Sequence, residues 1–582
     1  MQIEQVDLLI LGSGGAGLFA ALHAYDTNPR LAILVATKGL LGKSGCTRMV
    51  QGGFNVVLDP RDSLELHFTD TLKGGRYLND QELAWVLVHD APATIHELET
   101  RVGCFFDRRE DGTIHQKPFA GQSFDRTVHR GDLTGIEIME RLRDQVLARG
   151  IPVWEEHRAV ELMVAEGRCV GALLLDIRQG RFVGVEARAT LLATGGGPTM
   201  YKISAPSLEK SEDGLALAYR AGAVMRDMEM VQFHPTGLLA GAGRVTGSVL
   251  EEGLRGAGGR LYNALGERYM ARYDPERMER ATRDVVSRAG YLEIMAGRGG
   301  PQGGVFIDVS HLGADFVRKT FPGMVQRVRD VGFDLATGPV EVSPTAHFHM
   351  GGVAIDPDGH SSLPGLYVAG EDAGGVHGAN RLGGNGVAES TVFGRRVGDA
   401  LGQEAAALPR GHLPPQAWEA RARHHRRFWE RKGGENPAHL LQELRQLMWE
   451  KCGLVRNQAD LQACLVGLAR LRDRLEAVSV AGSPSYNLRW SDALNLESLI
   501  TVSELIAAAA LLREESRGSH FRADFPQEND GEWLKNIFMA LSGDATRVWT
   551  EPVRFTRQRP PGWEAGKEDE AQHGTRVAPG TV

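Results

Sequence analysis

The chain has 582 residues, 42% of them hydrophobic, with a net charge of −8. That length supplies a sizeable core and two to four domains, and the acidic balance gives no case for nucleic acid. Its five cysteines (Cys46, Cys104, Cys169, Cys452 and Cys464) are scattered with no CxxC, which argues against a disulfide framework or a four-cysteine iron–sulfur cluster and for a reducing compartment.

The N-terminal MQIEQVDLLILGSGG reads as strand and turn, not as a signal peptide. VDLLIL (6–11) is a buried-strand run, GSGGAG follows at 12–17, LFAALHAY is helical and LAILVA (31–36) is a second strand. This βαβ unit carries GxGxxG after a strand and at the opening of a helix. The first glycine makes the turn, the second admits backbone to a pyrophosphate, and the third lets helix pack closely on strand. The second strand ends in Ala36-Thr37-Lys38, without the acid that would hold an NAD ribose. Lys38 suits a phosphate or a polar loop instead. The loop KSGCTRMVQGG (43–53) follows, ending in Gln-Gly-Gly.

Two further glycine punctuations, ATLLATGGG (189–197) and GLYVAGEDAGG (365–375), follow buried strands. The second places Glu371 at a strand end, where an acid can hold sugar hydroxyls. The nucleotide fold is thus interrupted and resumed, around an inserted block of roughly 233–352. From about 403 the texture becomes helical, with apolar positions at bundle spacing. Within it RARHHRRFWERK (421–432) reads as a solvated helix face. LIAAAALL (505–512) is the nearest approach to a membrane run and falls short of the ~18 residues a span requires. The polar, Pro/Gly-rich end, RPPGWEAGKEDEAQHGTRVAPGTV, is expected to be disordered.

Five segments place polar side chains in glycine-rich settings: QFHPTG (His234), EEGLRGAGG (Glu251, Glu252, Arg255), ATRDVVSR (Arg283), PTAHFHMGG (His347, His349) and HGANRLGGN (His377, Arg381). Histidines and arginines on loops make a cage for a small dicarboxylate, because arginine grips a carboxylate through two parallel hydrogen bonds. No Ser-His-Asp logic is present. Metal ligation by His347 and His349 is open, although no carboxylate stands at helical spacing beside them.

These segments, with GSGGAG, the QGG loop, DMEMVQFHPTG, VAGE and SRGSHFRADFP in this order, resemble the succinate dehydrogenase and fumarate reductase flavoprotein subunit family, which includes L-aspartate oxidase. The resemblance runs from about residue 5 to 530. EPVRFTRQRPP (551–561) is similar to the family's terminal segment. It implies an α/β fold: a Rossmann-like FAD-binding domain (1–232 and 353–402), an inserted α+β capping domain (233–352), a C-terminal helical bundle (403–530) and a C-terminal segment (531–582).

By that resemblance FAD lies extended, its pyrophosphate on Gly12, Ser13, Gly14, Gly15, Ala16 and Gly17. The loop from Thr37 through Lys38, Gly39, Ser44, Gly45, Cys46, Thr47, Gln51 and Gly52 to Gly53 wraps the ribityl chain and flavin ring. Ala193, Thr194, Gly195, Asp213, Glu371 and Arg381 complete the cofactor site. Gly386 and Val387 match positions that usually read Ser-Leu, so one hydroxyl contact is expected to be missing. Substrate carboxylates fall to His234, His347 and Arg381, with Phe119 as an apolar contact. Arg283 matches the proton donor, and Glu252 and Arg255 the relay that reloads it. The expected activity is interconversion of fumarate and succinate, or of a close C4 dicarboxylate. The expected partners are an iron–sulfur subunit, with a membrane anchor reached through it. The expected location is cytoplasmic, or peripheral on the inner face of the cytoplasmic membrane.

Two residues depart from the pattern. Cys46 stands where respiratory members carry the histidine bonded to flavin, so noncovalent FAD is expected. Glu251 stands where the family usually has a threonine that donates to substrate carboxylate. A carboxylate there is repulsive unless protonated or paired, so either Glu251 turns away or the substrate carries an amine or hydroxyl. That keeps L-aspartate oxidase open as an alternative, alongside an electron-transfer flavoprotein subunit with an altered substrate site.

Overall fold

A computed structural model describes residues 1–241, 243 and 245–563. The expectation of a disordered end falls mostly on residues outside that range. Strand β1 (Gln2–Leu11) runs straight into helix α1 (Gly15–Thr27), which returns the chain to β2 (Ile33–Ala36). β1 lies parallel to β2 on one side and to β3 (Arg181–Leu192) on the other, and Leu366–Val368 adds parallel to β3. The nucleotide sheet is thus interrupted and resumed as the sequence implies. The hairpin His157–Ala165 with Arg168–Asp176 extends it antiparallel.

The glycines of GSGGAG sit where contact leaves no room for a side chain. A Cβ on Gly12, whose φ is +114°, would lie 2.0 Å from the Ala193 carbonyl oxygen, and one on Gly17 would lie 2.1 Å from that of Gly12. Gly17 therefore serves the close packing of helix on strand.

A second sheet belongs to the inserted block. Its longest strands, β4 (Val231–Leu238) and β5 (Val340–His349), pair antiparallel with bulges at Gln232/Phe233 and His234/Gly237. Helix α2 (Arg283–Glu293) packs against both. The bulges re-aim side chains locally, beside the two residues Gln232 and His234 that matter below.

The C-terminal bundle comprises Pro415–Glu430, Pro437–Lys451, Gln458–Leu475 and α3 (Leu488–Leu512). Among the described residues α3 is the one helix long and apolar enough to cross a membrane, but most of it is buried in the protein. Its apolar residues face the other helices and the main sheet, so its composition reflects a core position. The segment after 531 also holds regular structure not foreseen: strands Lys535–Ser542 and Ala545–Pro552 form a hairpin that joins Met225–Arg226.

The bundle docks through Trp418, fully buried, whose ring would stand 2.9 Å from a Cβ on Gly184 of β3. Trp418→Ala should cost about 3–5 kcal/mol, read as a lowered unfolding midpoint of the flavin-loaded protein. An unchanged midpoint would mean that the bundle does not rely on this contact.

Candidate active site

The five polar segments converge. His234, Glu251, Glu252, Arg283, His347 and Arg381 line one cavity of about 1270 Å³ together with Phe119. The same cavity is walled by Gly14, Gly15, Ala16, Gly45, Cys46, Thr47, Gln51, Gly52 and Gly53, by Ala193, Thr194 and Gly195, and by Glu371, Gly386 and Val387. A second cavity shares Gly14, Gly45, Thr194 and Gly195 with it and continues to Gly12, Ser13, Thr37, Lys38, Gly39, Ser44 and Asp213. Of the predicted residues, Gly17 and Arg255 line neither.

Each cation has a defined position. Arg283, at the start of α2, donates from Nε to Glu252 Oε2 at 2.8 Å and from Nη1 to Gln232 Oε1 at 3.0 Å. The other oxygen of Glu252 faces Arg255 Nη2 at 3.4 Å. Arg255 is buried behind the cavity wall and donates to the Glu279 carbonyl at 2.6 Å. Arg381 stacks on Phe348, 4.3 Å from the ring centroid. A Cβ on Gly386 would come 2.8 Å from Arg381 Nη1. The glycine there thus does more than lose a hydroxyl: it makes room for the guanidinium. Phe119 fills the space that Gly52 and Gly383 leave open.

The electrostatics follow from burial. Burial and then Arg283 push His234 and His347 well below the usual imidazole range, so both rings are neutral, 5.4 Å apart by centroid. Burial, reinforced by Arg283, pushes Arg381 down. Burial pushes Glu252 upward, but Arg283 and Arg255 outweigh it and hold its carboxyl below the ordinary value. The cavity thus presents fixed cations and neutral imidazoles, a field that favours an anion.

Several of the predicted polar residues are held by partners within the protein. Lys38 lines the second cavity, and its ammonium donates to Asp213 Oδ2 at 2.9 Å, to Ser211 Oγ at 3.0 Å and to Asn495 Oδ1 at 2.7 Å. Asp213 is doubly held, with Arg158 on its other oxygen at 2.6 Å, so its carboxylate serves this network first. His349 stands apart from His347, its Nε2 2.9 Å from the Met228 carbonyl, and among the described residues no group of three metal-binding side chains forms. His377 likewise pairs with Glu389 at 3.0 Å.

Sequence reasoning missed Lys117, whose ammonium holds Glu251 Oε1. It also missed Asp372, which takes the Gly195 N–H at 3.0 Å and fastens the ATGGG turn, and Arg327 and Lys210, which line the cavity. A signal for Asp372 existed, since it adjoins Glu371 in VAGED. Lys117 offered none beyond its place two residues before Phe119.

The residue set fits a flavin dinucleotide. Glycine backbone and the N-terminus of α1 meet the junction of the two cavities. The matched families agree: FAD binding domain over residues 7–387 and fumarate reductase flavoprotein C-term over 441–565. The chain belongs to the succinate dehydrogenase and fumarate reductase flavoprotein family. A subunit of the fumarate reductase (CoM/CoB) of Methanothermobacter marburgensis is 42% identical over 92% of this chain and 97% of its own length. The Escherichia coli fumarate reductase flavoprotein subunit is 34% identical over 98% of each. A solved E. coli quinol fumarate reductase flavoprotein superposes with a TM-score of 0.91 at 33% identity, covering 96% of this chain and 98% of that one.

This family member is an FAD-dependent oxidoreductase, and Cys46 faces its cofactor cavity as a thiol: burial pushes it up to about 11. A thiol that stays protonated is a poor nucleophile. Acid precipitation of the yellow protein should leave a colourless pellet and move all flavin into the supernatant. Colour retained in the pellet, with a flavin mass on a Cys46 peptide, would establish a covalent bond instead.

Proposed function

We propose that this chain is the catalytic flavoprotein subunit of a fumarate reductase or succinate dehydrogenase, interconverting fumarate and succinate at noncovalent FAD. The observation that carries this reading is the meeting of Arg283, His347, Arg381 and His234 in one cavity beside the glycine cradle. In this reading residues 1–232 and 353–402 form the FAD domain, 233–352 the cap and 403–530 the helical domain. The cysteines do not suffice for clusters, so electrons pass through a separate iron–sulfur subunit. That partner tethers the chain to the inner face of the cytoplasmic membrane through an anchor.

Reduction of fumarate adds two electrons and two protons across its C=C bond. FAD, when bound, supplies the electron pair together with one hydrogen. The chain's residues do the rest. His234, His347 and Arg381 clamp the two carboxylates and fix the alkene against the cofactor, which removes the cost of orientation. Arg283 supplies the second proton from its guanidinium. An arginine is a poor acid in water, with a pKa above about 12. Here it is buried in the cavity beside Arg381 and bonded to Glu252, so a proton path reaches it from behind. Glu252 bridges Arg283 and Arg255 and returns the proton to the donor, so the relay runs Arg255–Glu252–Arg283.

Glu251 gave the aspartate oxidase reading its foothold. With the Lys117 ammonium already on one oxygen, Glu251 does not require an amine from the substrate.

Under anaerobic conditions the reduced protein should be reoxidised rapidly by fumarate, followed at the flavin absorbance band, and not by a panel of unsaturated monoacids. Failure of fumarate with success of iminoaspartate would transfer the assignment to the oxidase. Arg283→Lys should lower turnover by about 10²-fold or more with little change in dicarboxylate affinity. Parallel loss of affinity would make Arg283 a binding residue only.

A further inference from the structure

Glu251 is an acid of the substrate cavity with one carboxylate oxygen left unpartnered. Its side chain is almost wholly buried and lines the cavity alongside His234 and Glu252. Oε1 is held by Lys117, whereas Oε2 is buried and has no hydrogen-bond partner. The cavity is built for an anion, and an ionised Glu251 would set a second carboxylate against it in a low dielectric. One proton on Oε2 reverses the sign of that contact. It turns repulsion into a charge-assisted O–H···O⁻ bond, the strong class of hydrogen bond, and gives the orphaned oxygen a partner.

We propose that Glu251 recognises the substrate as its carboxylic acid, donating from Oε2 to a substrate carboxylate while Lys117 positions it through Oε1, so that dicarboxylate binding takes up a proton. This rests on the dicarboxylate reading above and adds a specificity residue and its protonation state to it. The proton comes from solvent and is released with the ligand, so no co-reactant is needed.

The surroundings favour this state. Burial pushes Glu251 upward, Lys117 opposes, and Asp132 and Glu252 push it further up. Asp132 reaches the same corner from the flavin-domain side, accepting from the Met324 N–H at 3.2 Å, and the Glu251 N–H points to Met324 Sδ at 3.4 Å. Behind Lys117 stand His115 and His129, 2.6 Å apart; burial lowers both, His129 to about 4, so neither adds charge near neutrality. Across the cavity are Arg327, Arg283 and Arg381, with His234 and His347 held neutral. Glu371 is the remaining titrating wall residue, pushed up by burial and then by Glu212. The experiment must separate it from Glu251.

The sign runs one way. Below the free pKa of Glu251 the proton is already present and binding takes up none. Above it, the ligand must bring a proton onto Oε2, and affinity weakens roughly tenfold per pH unit until the pKa in the complex is passed.

The test is calorimetric titration of the oxidised holoenzyme with malonate, which has no C–C bond that can be oxidised to an alkene. It is repeated across pH in buffers of different ionisation enthalpy, so that proton uptake is counted independently of turnover. Wild type should take up about one proton more per malonate than Glu251→Gln in the alkaline range, and E251Q should lose the associated slope in Kd. Lys117→Gln removes the opposing cation and should move the midpoint of the slope to higher pH, whatever it does to affinity overall. Equal proton counts in wild type and E251Q, with both variants retaining flavin and wild-type melting behaviour, would overturn the proposal. So would a midpoint that does not move in K117Q. If E251Q proves unstable, Glu251→Thr keeps a donor without a titrating group and should bind with no pH slope. Absence of malonate binding at every pH in wild type would sink the dicarboxylate reading itself, and this inference with it.

Discussion

Glu252 is the counter-charge around which the cavity is assembled. It is buried, it touches Arg283 through one oxygen and Arg255 through the other, and Arg381 lies close enough to pull its pKa down. Three guanidiniums in a low-dielectric space would repel one another strongly without it. With it they retain a net positive field that only a ligand can complete. Recognition of an anion and stabilisation of the empty fold therefore impose opposite demands on the same cluster, and one shared carboxylate reconciles them. Removing it would leave uncompensated buried charge, the most costly way to break such a group.

Several polar contacts at the cavity cross from the flavin-side segments to the inserted block. Lys117 holds Glu251, Gln51 Nε2 donates to the Val249 carbonyl at 3.1 Å, and Asp132 accepts from the N-terminal turn of the helix Pro322–Arg329. Arg327 on that helix donates to the same Val249 carbonyl at 2.9 Å. These are few polar contacts at the mouth; the inserted block keeps its own core around Leu250, Leu254, Val286, Val305 and Val342, while Phe233 and Ala346 at its base join the main core. Polar contacts of this kind exchange with water at small net free energy, which suits a cover that must admit and release a small acid.

Local pattern revealed the parts of the fold that depend on local constraint. GSGGAG was legible because Gly12 and Gly17 meet backbone carbonyls, a demand that only glycine satisfies and that leaves the same trace wherever it occurs. The converging site was legible through resemblance, since no periodicity links His234 to Arg381. The polar network behind the nucleotide half was not legible. Lys38 finds Asn495 on α3, and Arg158 finds Asp213 and the Ser491 carbonyl. Each of these groups also reads well as a solvated surface residue until the bundle is docked. The final hairpin could have been found: KNIFMALS and ATRVWTEP flank Gly543-Asp544, a turn signal between strand-forming runs. The length of α3 was not legible for a related reason. A contiguous-run criterion sees Glu497 and Glu504 as interruptions, whereas a helix places Glu504 at its edge, paired with Arg472.

Glu251 and Glu252 show how far neighbours in sequence can be separated in chemistry. They are adjacent and both buried, so desolvation raises both. What differs is the number of cations each meets. Glu252 faces two guanidiniums directly and feels a third, and it remains an anion; Glu251 has one ammonium on one oxygen and two other acids nearby, and its shift is upward. Opposed shifts of two close acids are the signature by which a site divides proton-donating from charge-holding roles. In this cavity the division has a geometric origin. The short helix Gly253–Gly256 begins just after the pair, and the chain's turn there sends one side chain inward to Arg283 and Arg255 and the other toward Lys117. A single backbone turn thus gives consecutive glutamates opposite surroundings, one among guanidiniums and the other against a single ammonium and two further acids.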